Sequence, residues 1–343
     1  MDIYDVVIVG GGPAGLRCAE LLSRTKKSVL LLEKTGGFGD KLCAGGLTLK
    51  DMDVMQLPDQ VIEHKICKTS IHSRKFSTNS EVPKPFLFTV DRKELGAYQR
   101  SLLDNTSVEV RTNARVTEVG PDHVVLKNGE EIGFKYLVGA EGYNSVVRKS
   151  LGLKVEKKLI GFQYTIPVGD VDPKLQVFLD ARRFDVWYAW IFPHRDSIAV
   201  GCCCDPARVN HQKIKAAFHD WLREKGIDPG EARLESYPIA YDYRGVQFGK
   251  VFLAGEAAGL ASGFTGEGVY QSLASGEEVA RLIIDPSHQA GLLGEVVKYN
   301  RILEKVMKAF RLAGPFKGAL QELLVFLMTR KWVRSRVNAG FSG

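Results

Sequence analysis

Three segments at the start of the chain follow two different hydrophobic periods. Residues 3–9 are an apolar run, interrupted only by Asp5 and rich in β-branched side chains, which predicts a buried strand. The next residues place Leu16, Ala19 and Leu22 on one face of a helix, and the apolar run VLLL follows at residues 29–32. A strand, a helix and a strand in this order predict a βαβ unit with parallel strands.

The middle of the chain instead alternates apolar and polar positions, as in LIGFQYTIPV and DVWYAWIFP. Over residues 60–85 and 155–245 this period of two predicts an antiparallel sheet. Within it, Tyr188, Trp190 and Phe192 share one face of a strand, because successive side chains point to opposite faces. Three aromatic rings in a row form a broad apolar wall, which by itself is more typical of a domain core than of a binding site.

A glycine-rich turn joins the first predicted strand to the first helix. Its sequence, GGGPAG at residues 10–15, fits the GxGxxG pattern of dinucleotide-binding units, and Glu33 follows at the end of the second strand. Gly10 permits the tight turn, Gly12 lets a pyrophosphate approach the backbone, and Gly15 lets the helix pack closely. A carboxylate at position 33 binds a ribose diol and repels a 2′-phosphate, so the pattern predicts FAD or NAD rather than NADP.

Two later segments favour FAD. Residues 133–148 predict a strand, a glycine turn and a basic helix start, and residues 249–280 predict a buried strand, an acid in a glycine turn and a second helix. That acid, Glu256, is placed to accept hydrogen bonds from ribityl hydroxyls, and the free N–H groups of the second helix suit a negatively charged group. FAD is longer than NAD and is commonly held at both ends. Because the sequence carries a single GxGxxG, a nicotinamide donor has no nucleotide-binding domain of its own.

Charge is concentrated at one end of the 343-residue chain. The formal net charge of +7 comes from residues 301–343, which hold nine Lys and Arg against two Asp and Glu, so the rest of the chain is neutral. A neutral body argues against nucleic acid as a partner, and a basic end indicates contact with an anionic surface. Residues 315–338 combine the apolar run LLVFLM with a basic stretch, which suits a helix at a membrane interface as well as one packed on the body.

Neither a secretory signal nor a membrane span is expected. The chain passes directly into a strand, and its apolar stretches are shorter than the ~18 residues that a spanning helix requires. Six cysteines without a signal predict free thiols in a reducing, cytoplasmic compartment. Cys202, Cys203 and Cys204 are consecutive, so their side chains alternate and cannot share one metal ion. With no CxxC pair and with scattered histidines, we expect no metal site.

Three motifs in order, GGGPAG with a later Glu, GAEG, and GEAAG with GEG, resemble the fingerprints of flavoproteins with the p-hydroxybenzoate hydroxylase fold. The resemblance implies an α/β fold, in which a Rossmann-like FAD-binding domain carries an inserted antiparallel-sheet substrate domain and a C-terminal helical segment. The implied FAD-binding domain comprises residues 1–59, 86–154 and 246–300, the substrate domain residues 60–85 and 155–245, and the basic C-terminal segment residues 301–343.

The same resemblance implies contacts with the cofactor. The family usually has Asp where this chain has Glu141 and Glu256, so the acid is kept on a side chain one carbon longer. FTVDRKEL at residues 88–95 resembles the segment whose arginine, here Arg92, reaches the flavin. The implied FAD contacts are Gly10, Gly12, Ala14, Gly15, Glu33, Lys34, Cys43, Ala44, Gly46, Arg92, Val116, Glu256, Gly266, Gly268 and Val269.

Two further motifs resemble those of geranylgeranyl reductases. Residues 188–193, YAWIFP, are similar to the YxWxFP signature of that family, and CAGGL at residues 43–47 is similar to its glycine-rich loop after the second strand. A longer form of the signature has proline where this chain has Asp185. In that family the loop runs beneath the flavin ring, which implies that Cys43 lies near the substrate double bond. The implied catalytic residues are Cys43, Tyr188, Trp190 and Phe192.

These resemblances predict an FAD-dependent reductase that saturates double bonds of a geranylgeranyl or other polyprenyl lipid by hydride transfer from reduced flavin. The alternative is an FAD-dependent monooxygenase or halogenase of the same fold that acts on an aromatic or lipid substrate. A third interpretation is a non-catalytic flavin module in which Cys202, Cys203 and Cys204 serve as a redox switch. The expected partners are an apolar lipid, an external electron donor (NADPH, a deazaflavin, ferredoxin or a quinol) and the inner face of a membrane, reached through residues 315–338.

Overall fold

A computed structural model of the chain describes residues 1–330. By its internal contacts the chain divides into two units, each assembled from separated segments. Unit 1 contains Met1–Asp40, Arg92–Lys158 and Ile239–Ile302. Unit 2 contains Lys41–Asp91, Leu159–Pro238 and the described residues from Leu303.

The strands and helices have the following bounds. The strands are β1 (Asp2–Val9), β2 (Val29–Leu32), β3 (Gly46–Thr48), β4 (His64–Ile66), β5 (Lys68–His72), β6 (Ser77–Glu81), β7 (Leu87–Thr89), β8 (Glu109–Arg111), β9 (Val116–Val119), β10 (His123–Leu126), β11 (Glu131–Gly139), β12 (Lys158–Pro167), β13 (Lys174–Leu179), β14 (Tyr188–Pro193), β15 (Ser197–Cys204), β16 (Glu235–Ala240), β17 (Gln247–Phe248) and β18 (Val251–Leu253). The α-helices are α1 (Pro13–Leu22), α2 (Leu49–Met55), α3 (Arg92–Ser101), α4 (Val146–Ser150), α5 (Ala181–Phe184), α6 (His211–Glu224), α7 (Val269–Ile284), α8 (Gly291–Leu312) and α9 (Lys317–Met328). Short 3-10 helices lie at Asp59–Val61, Gly142–Asn144, Gly255–Ala258 and Gly314–Phe316.

The main sheet of unit 1 is built around β1, the strand that the first apolar run predicted. β1 pairs in parallel with β2 and with β11, within the order β17-β18-β11-β1-β2-β8. β10 pairs antiparallel with β11, and β9 pairs antiparallel with β10. Val6 and Ile8 are fully buried. Val9 lies beside Leu32 and Gly139, so the carboxyl ends of β1, β2 and β11 meet at one edge of the sheet.

Helices α1 and α7 pack against each other in unit 1. Their contact requires a residue without a side chain at Gly276, since a Cβ there would lie 2.2 Å from the carbonyl oxygen of Ala14. Leu273 and Val279, about one turn before and after Gly276, are fully buried on the same side of α7. The close approach holds the first turn of α1, which follows the glycine turn, against the body of unit 1.

Unit 2 contains the antiparallel sheet that the alternating pattern predicted, in the order β16-β12-β15-β14-β13-β5-β6. The pairs of β15 with β12 and β14, of β13 with β14 and of β5 with β6 are antiparallel, whereas β5 and β13 are parallel. Helix α6 covers one face of this sheet, where Phe218 and Trp221 join Ala189 and Ile191 in one buried cluster. A smaller sheet in the order β3-β7-β4 completes unit 2. The fold class predicted from the sequence is confirmed.

Helix α9 also belongs to unit 2, where it packs on α5 and β6. Lys317 at its start forms an ion pair with Asp185, and Val325 is fully buried. One side of helix α9 is therefore packed against other elements of unit 2. Residues 331–338 of the predicted interfacial segment lie outside the described residues. Within residues 1–330, no helix is both long enough and apolar enough to cross a bilayer.

The two units divide the chain differently from the domain boundaries implied by the sequence. Those boundaries group residues 41–59 with the nucleotide-binding domain, whereas the contacts of these residues lie in unit 2. The physical reason is that β3 pairs with β7 rather than with the sheet around β1. Residues 239–245 lie in unit 1 instead, because the Ala240 amide donates to the Glu256 carboxylate and Asp242 pairs with Arg148.

Candidate active site

The glycine turn after β1 has a shape that side chains would block. Gly10 has a φ of +105°, and a Cβ there would lie 2.5 Å from the carbonyl oxygen of Ala140. A Cβ at Gly15 would lie 2.0 Å from the carbonyl oxygen of Gly10, so the helix reaches this close only because residue 15 is glycine. Gly12 is the N-cap of α1, no side chain caps the helix there, and a Cβ would meet nothing within 4 Å. The start of α1 therefore presents backbone N–H groups to open space, as an anion site requires.

Glu33 lies where the sequence placed it, at the carboxyl end of β2 and against the glycine turn. Its side chain is buried, and its Oε2 accepts a hydrogen bond of 2.6 Å from the amide of Gly11. Its Oε1 accepts from the amide and hydroxyl of Thr35. Lys34 is exposed, and Val116 begins β9 with its side chain buried. The contacts of these residues with a nucleotide stay predictions.

Arg92 offers an observation that bears directly on a bound cofactor. It is the first residue of α3, and its Nε and Nη1 are buried without a hydrogen-bond partner among the described residues. Burying charged N–H groups without an acceptor is costly, because they lose their hydrogen bonds to water. The guanidinium is therefore placed to donate hydrogen bonds to an acceptor supplied by a ligand, such as the oxygens of FAD.

The second glycine-rich segment of unit 1 surrounds the start of α7. Gly268 is the N-cap of α7 without a side-chain cap, Val269 is the first helical residue, and Gly266 has a φ of +75°. Glu256 is buried in the preceding 3-10 helix, and its Oε1 accepts a hydrogen bond of 2.9 Å from the amide of Ala240. The contact of Glu256 with ribityl hydroxyls thus stays a prediction. The uncapped helix start provides a second set of free N–H groups in the same unit as the first.

A buried ion pair that the sequence did not single out, Arg148 with Asp242, helps to hold this segment in place. The side chain of Arg148 is 1% exposed, pairs with Asp242 at 3.0 Å, and donates a hydrogen bond of 3.1 Å to the carbonyl oxygen of Ala257. Glu141 accepts hydrogen bonds from the first amides of α4; burial raises the pKa of its carboxyl group, and these hydrogen bonds partly offset that rise. The motif GAEGYNSVVR contains both Glu141 and Arg148. Asp242 lies 94 residues from Arg148, so no local pattern indicates the pairing of Arg148 with Asp242.

In unit 2 the three signature aromatics lie on the open face of β14. Along the strand, Ala189 and Ile191 are buried in the cluster with α6, whereas Tyr188, Trp190 and Phe192 are only partly buried. The aromatic face is therefore the face turned away from the α6 core. These side chains are thus less buried than those of the α6 core, and their part in a binding site stays a prediction.

Glycines let these rings lie directly on neighbouring backbone. A Cβ at Gly46 would lie 2.4 Å from Cε1 of Phe192, and one at Gly201 would lie 2.5 Å from Cζ2 of Trp190. Tyr188 meets Trp190 edge to face, with ring centroids 6.1 Å apart. The result is a continuous apolar surface, with Gly46 of the CAGGL loop at its Phe192 end.

The loop that contains Cys43 is held by hydrogen bonds within unit 2. Nε2 of Gln163 donates to the carbonyl oxygen of Cys43 at 3.2 Å, and the amide of Gly45 donates to Cys43 Sγ at 3.4 Å. His194 contacts the carbonyl oxygen of Ala44 at 3.1 Å. The structure thus brings Cys43, Ala44 and Gly46 together with the Phe192 end of β14, and their contacts with FAD stay predictions. The sequence did not single out His194, although it occupies the next even position after the signature.

The cysteine run on β15 is buried and poorly suited to redox signalling. Cys202 and Cys204 lie in the α6 cluster, and burial raises the pKa of Cys202 and Cys203 well above the usual thiol value and that of Cys204 to about 12. A protonated, buried thiol is a weak nucleophile, which argues against the redox-switch interpretation. The described residues contain no group of three or more His, Cys, Asp or Glu arranged to hold a metal ion.

Comparison with known families decides which nucleotide the glycine turns serve. A family model described as an FAD binding domain matches residues 3–286 of the chain. The chain belongs to this FAD-binding family. FAD is accordingly its cofactor, and the open starts of α1 and α7 together with the unpaired Arg92 nitrogens fit that assignment.

Curated relatives of this FAD-binding protein are named as reductases. It is 28% identical over 327 residues to the chloroplastic geranylgeranyl diphosphate reductase of Oryza sativa subsp. japonica, covering 87% of this chain and 70% of the relative. It is 26% identical over 317 residues to the menaquinone reductase of Mycobacterium tuberculosis, covering 82% and 77%. The resemblance to geranylgeranyl reductases is confirmed, and the protein is an FAD-dependent oxidoreductase.

Solved structures show how widely the fold is shared. The FAD-binding protein matches a geranylgeranyl bacteriochlorophyll reductase-like protein of Thermoplasma acidophilum with a TM-score of 0.81 and 18% identity, covering 96% of this chain and 92% of the other. It also matches the p-nitrophenol 4-monooxygenase PnpA of Pseudomonas putida with a TM-score of 0.74 and 18% identity, covering 100% and 98%. At these identities the matches describe the fold, which hosts both reductases and oxygenases.

Proposed function

We propose that this protein is an FAD-dependent reductase that saturates carbon–carbon double bonds in a geranylgeranyl or other polyprenyl chain. The observation that carries the proposal is the open aromatic face of β14, where Tyr188, Trp190 and Phe192 stand in the signature order. A flat row of rings suits a long apolar chain, because apolar burial is worth about 25 cal/mol per Å² and needs no directional contacts. The name of the plant relative, a geranylgeranyl diphosphate reductase, supports a prenyl substrate.

The residues of this chain have three tasks in such a reaction. When bound and reduced, FAD would supply the hydride for one alkene carbon. The protein binds the lipid, keeps water from the reacting carbons, and delivers a proton to the second carbon. We assign proton delivery to Cys43, through its thiol or through a water that the thiol orders, because hydrogen bonds to its carbonyl oxygen and its sulfur hold it in place.

For the cofactor we propose that binding begins at the two uncapped helix starts of unit 1. The N–H groups at Gly12 and the first turn of α1 hold the pyrophosphate, and Glu33 accepts from the ribose hydroxyls. Arg92 donates its unpaired N–H groups to FAD oxygens, and the start of α7 at Gly268 faces a second electron-rich part of the cofactor. Each assignment uses a donor or acceptor that the fold holds in a fixed position.

The test is a reoxidation experiment without oxygen. The FAD-loaded protein is reduced photochemically under argon and mixed with a geranylgeranyl lipid while the oxidised-flavin absorbance is followed. We expect the absorbance to return and mass spectrometry to show two added hydrogen atoms per reduced double bond. The fully saturated phytanyl analogue serves as the matched control, since it offers the same chain length without an alkene.

The same experiment decides against the alternative. If the flavin stays reduced with the lipid and reoxidises only after air is admitted, with substrate-dependent oxygen uptake, the protein is an oxygenase and the reductase proposal fails. If geranylgeranyl and phytanyl lipids reoxidise the flavin equally, electron loss is unrelated to the alkene and the proposal fails as well.

We further propose that electrons come from an external donor. The sequence contains a single GxGxxG, which the FAD turn at Gly10 uses, so a nicotinamide has no second dinucleotide fold to occupy. NADPH, a reduced deazaflavin, ferredoxin and a quinol are the donors to compare, with the rate of flavin reduction as the measure.

A membrane surface is the proposed source of the substrate. Helix α9 carries Leu320, Leu323 and Leu327 on one exposed face, and Phe316 just before the helix is 72% exposed. A helix that buries one side and leaves a second apolar side to solvent suits the interface of a bilayer, and the basic residues around it suit anionic headgroups. This face lies within residues 315–330, the described part of the segment 315–338.

A further inference from the structure

A buried acid and a histidine lie beside the Cys43 loop. Nδ1 of His194 is 2.5 Å from Oε2 of Glu63, and their side chains are 11% and 7% exposed. The other ring nitrogen, Nε2, is 3.1 Å from the carbonyl oxygen of Ala44. The ring also fills the space beside Gly45, where a Cβ would lie 2.5 Å from its Cε1. The imidazole is thus clamped between a carboxylate and the loop.

Both ring nitrogens of His194 face hydrogen-bond acceptors. The Ala44 carbonyl oxygen only accepts hydrogen bonds, and so does an ionised carboxylate. Burial raises the pKa of Glu63, but the hydrogen bond from His194 and the nearby Arg195 outweigh it, so the pKa is lowered overall and Glu63 is ionised. His64 contacts the backbone oxygen of His194 rather than its ring. An acceptor therefore faces each ring nitrogen of His194, an arrangement that suits a ring with a proton on both nitrogens.

The His194 ring is one of three groups that contact successive carbonyl oxygens of the loop. Gln163 donates to the carbonyl oxygen of Cys43, His194 to that of Ala44, and the amide of Val90 to that of Gly45 at 3.0 Å. A hydrogen bond from a doubly protonated ring is charge-assisted, and such bonds are about twice as strong as neutral ones. The ring therefore contributes to holding the backbone beside Cys43, together with the bonds that Gln163 and Gly45 make to Cys43 itself.

We propose that Glu63 and His194 form a positioning pair for residues 43–46. Glu63 keeps the ring doubly protonated, and the ring anchors the Ala44 carbonyl and with it the Cys43 thiol. The pair acts on the loop through its own charge, so the inference goes beyond the proposed function and stands for any substrate of this site.

The charge is tested by nuclear magnetic resonance of the FAD-loaded protein with 15N-labelled histidine rings. The His194 signals are those lost in His194→Gln, and we expect both ring nitrogens to show the imidazolium pattern at neutral pH. In Glu63→Gln the amide donates to Nδ1, so the ring becomes neutral with its proton on Nε2. Glu235→Gln, a change at an exposed residue of β16, leaves the pattern unchanged. A neutral His194 ring in the unsubstituted protein overturns the proposal.

The anchoring is tested by native-state alkylation of Cys43, with half-buried Cys67 as the internal reference in the same peptide map. Removing the anchor in His194→Leu raises the Cys43-to-Cys67 rate ratio roughly tenfold, the effect of losing one hydrogen bond from a charged donor. His194→Gln, whose amide still donates to Ala44, restores most of the protection, and His219→Gln changes nothing. An unchanged Cys43-to-Cys67 rate ratio in His194→Leu overturns the proposal. If His194→Leu fails to fold, the same comparison is made with Glu63→Gln. In that case a rate ratio equal to that of the unsubstituted protein overturns the proposal.

Discussion

The guanidinium of Arg92 gives the sharpest single-residue prediction for FAD binding. Its Nε and Nη1 have no acceptor among the described residues. A bound cofactor can therefore accept hydrogen bonds from them without breaking a hydrogen bond within the described part of the protein. We expect Arg92→Met to weaken FAD binding roughly tenfold to a hundredfold, the range for a charge-assisted hydrogen bond. Arg92→Lys recovers part of this loss, because an ammonium group keeps the charge but not the planar fork. Titration of the FAD-free protein with FAD, followed by flavin fluorescence, measures the effect.

Arg100 on the same helix provides the control for that substitution. It pairs with Asp104 near the surface, where ion pairs contribute little. Arg100→Met therefore leaves FAD affinity within error of the unsubstituted protein. Equal losses in both variants, or no loss in Arg92→Met, would remove Arg92 from the cofactor site.

The sequence specifies single residues well where the chemistry is local. Gly10 and Gly15 could be assigned because a tight turn and a close helix contact are properties of neighbouring residues, and the structure shows the short distances that require glycine. The pair of Glu63 and His194 could not be assigned, since the two residues are 131 positions apart and neither belongs to a recognisable spacing. Contacts of that kind arise only when the fold brings distant segments together.

At the scale of elements, two glycines in helices of unit 1 predict opposite effects of the same substitution. A Cβ at Gly276 in α7 would lie 2.2 Å from the Ala14 carbonyl oxygen, so Gly276→Ala forces α1 and α7 apart at the glycine turn. We expect it to lower the free energy of unfolding by about 1–3 kcal/mol, as overpacking does. Urea unfolding monitored by circular dichroism measures this loss, and FAD affinity falls with it.

Gly294 in α8 is the matched control, because a Cβ there would meet nothing within 4 Å. Gly294→Ala removes the entropic cost of a helical glycine and raises the free energy of unfolding by about 0.5–1 kcal/mol. Gains of similar size at both positions would mean that helix propensity, rather than the contact of α1 with α7, governs both.

Element types were predictable to the extent that one period dominated a segment. The alternation at β14 predicted that Tyr188, Trp190 and Phe192 share a face, and they do. It did not indicate which face is open, because that depends on α6 packing against Ala189 and Ile191 from another part of the sequence. The buried face of helix α9 was harder still to predict, because its apolar residues surround the helix and do not form a single stripe.

At the scale of the whole molecule, the distribution of charge makes one end of the chain different from the rest. Residues 1–300 are neutral, and the net charge of +7 lies in the remaining residues. Basic residues next to an anionic bilayer gain about 1 kcal/mol each, and this gain is screened by salt. The exposed apolar face of α9 lies in the same part of the sequence, so apolar and electrostatic contributions act together.

Vesicle binding by the full chain tests this combination. We expect co-sedimentation with vesicles that contain anionic lipid, weaker binding at high salt, and little binding to purely zwitterionic vesicles. Replacing Leu320, Leu323 and Leu327 together by Ser reduces binding roughly tenfold or more, because each loses part of the ~1.5–3 kcal/mol that burying a leucine provides. Leu102→Ser, an equally exposed leucine of unit 1, has no effect on binding. Unchanged FAD content shows that the triple variant is folded. If it binds as well as the unsubstituted chain, charge alone holds the protein to the vesicles, and α9 does not enter the interface.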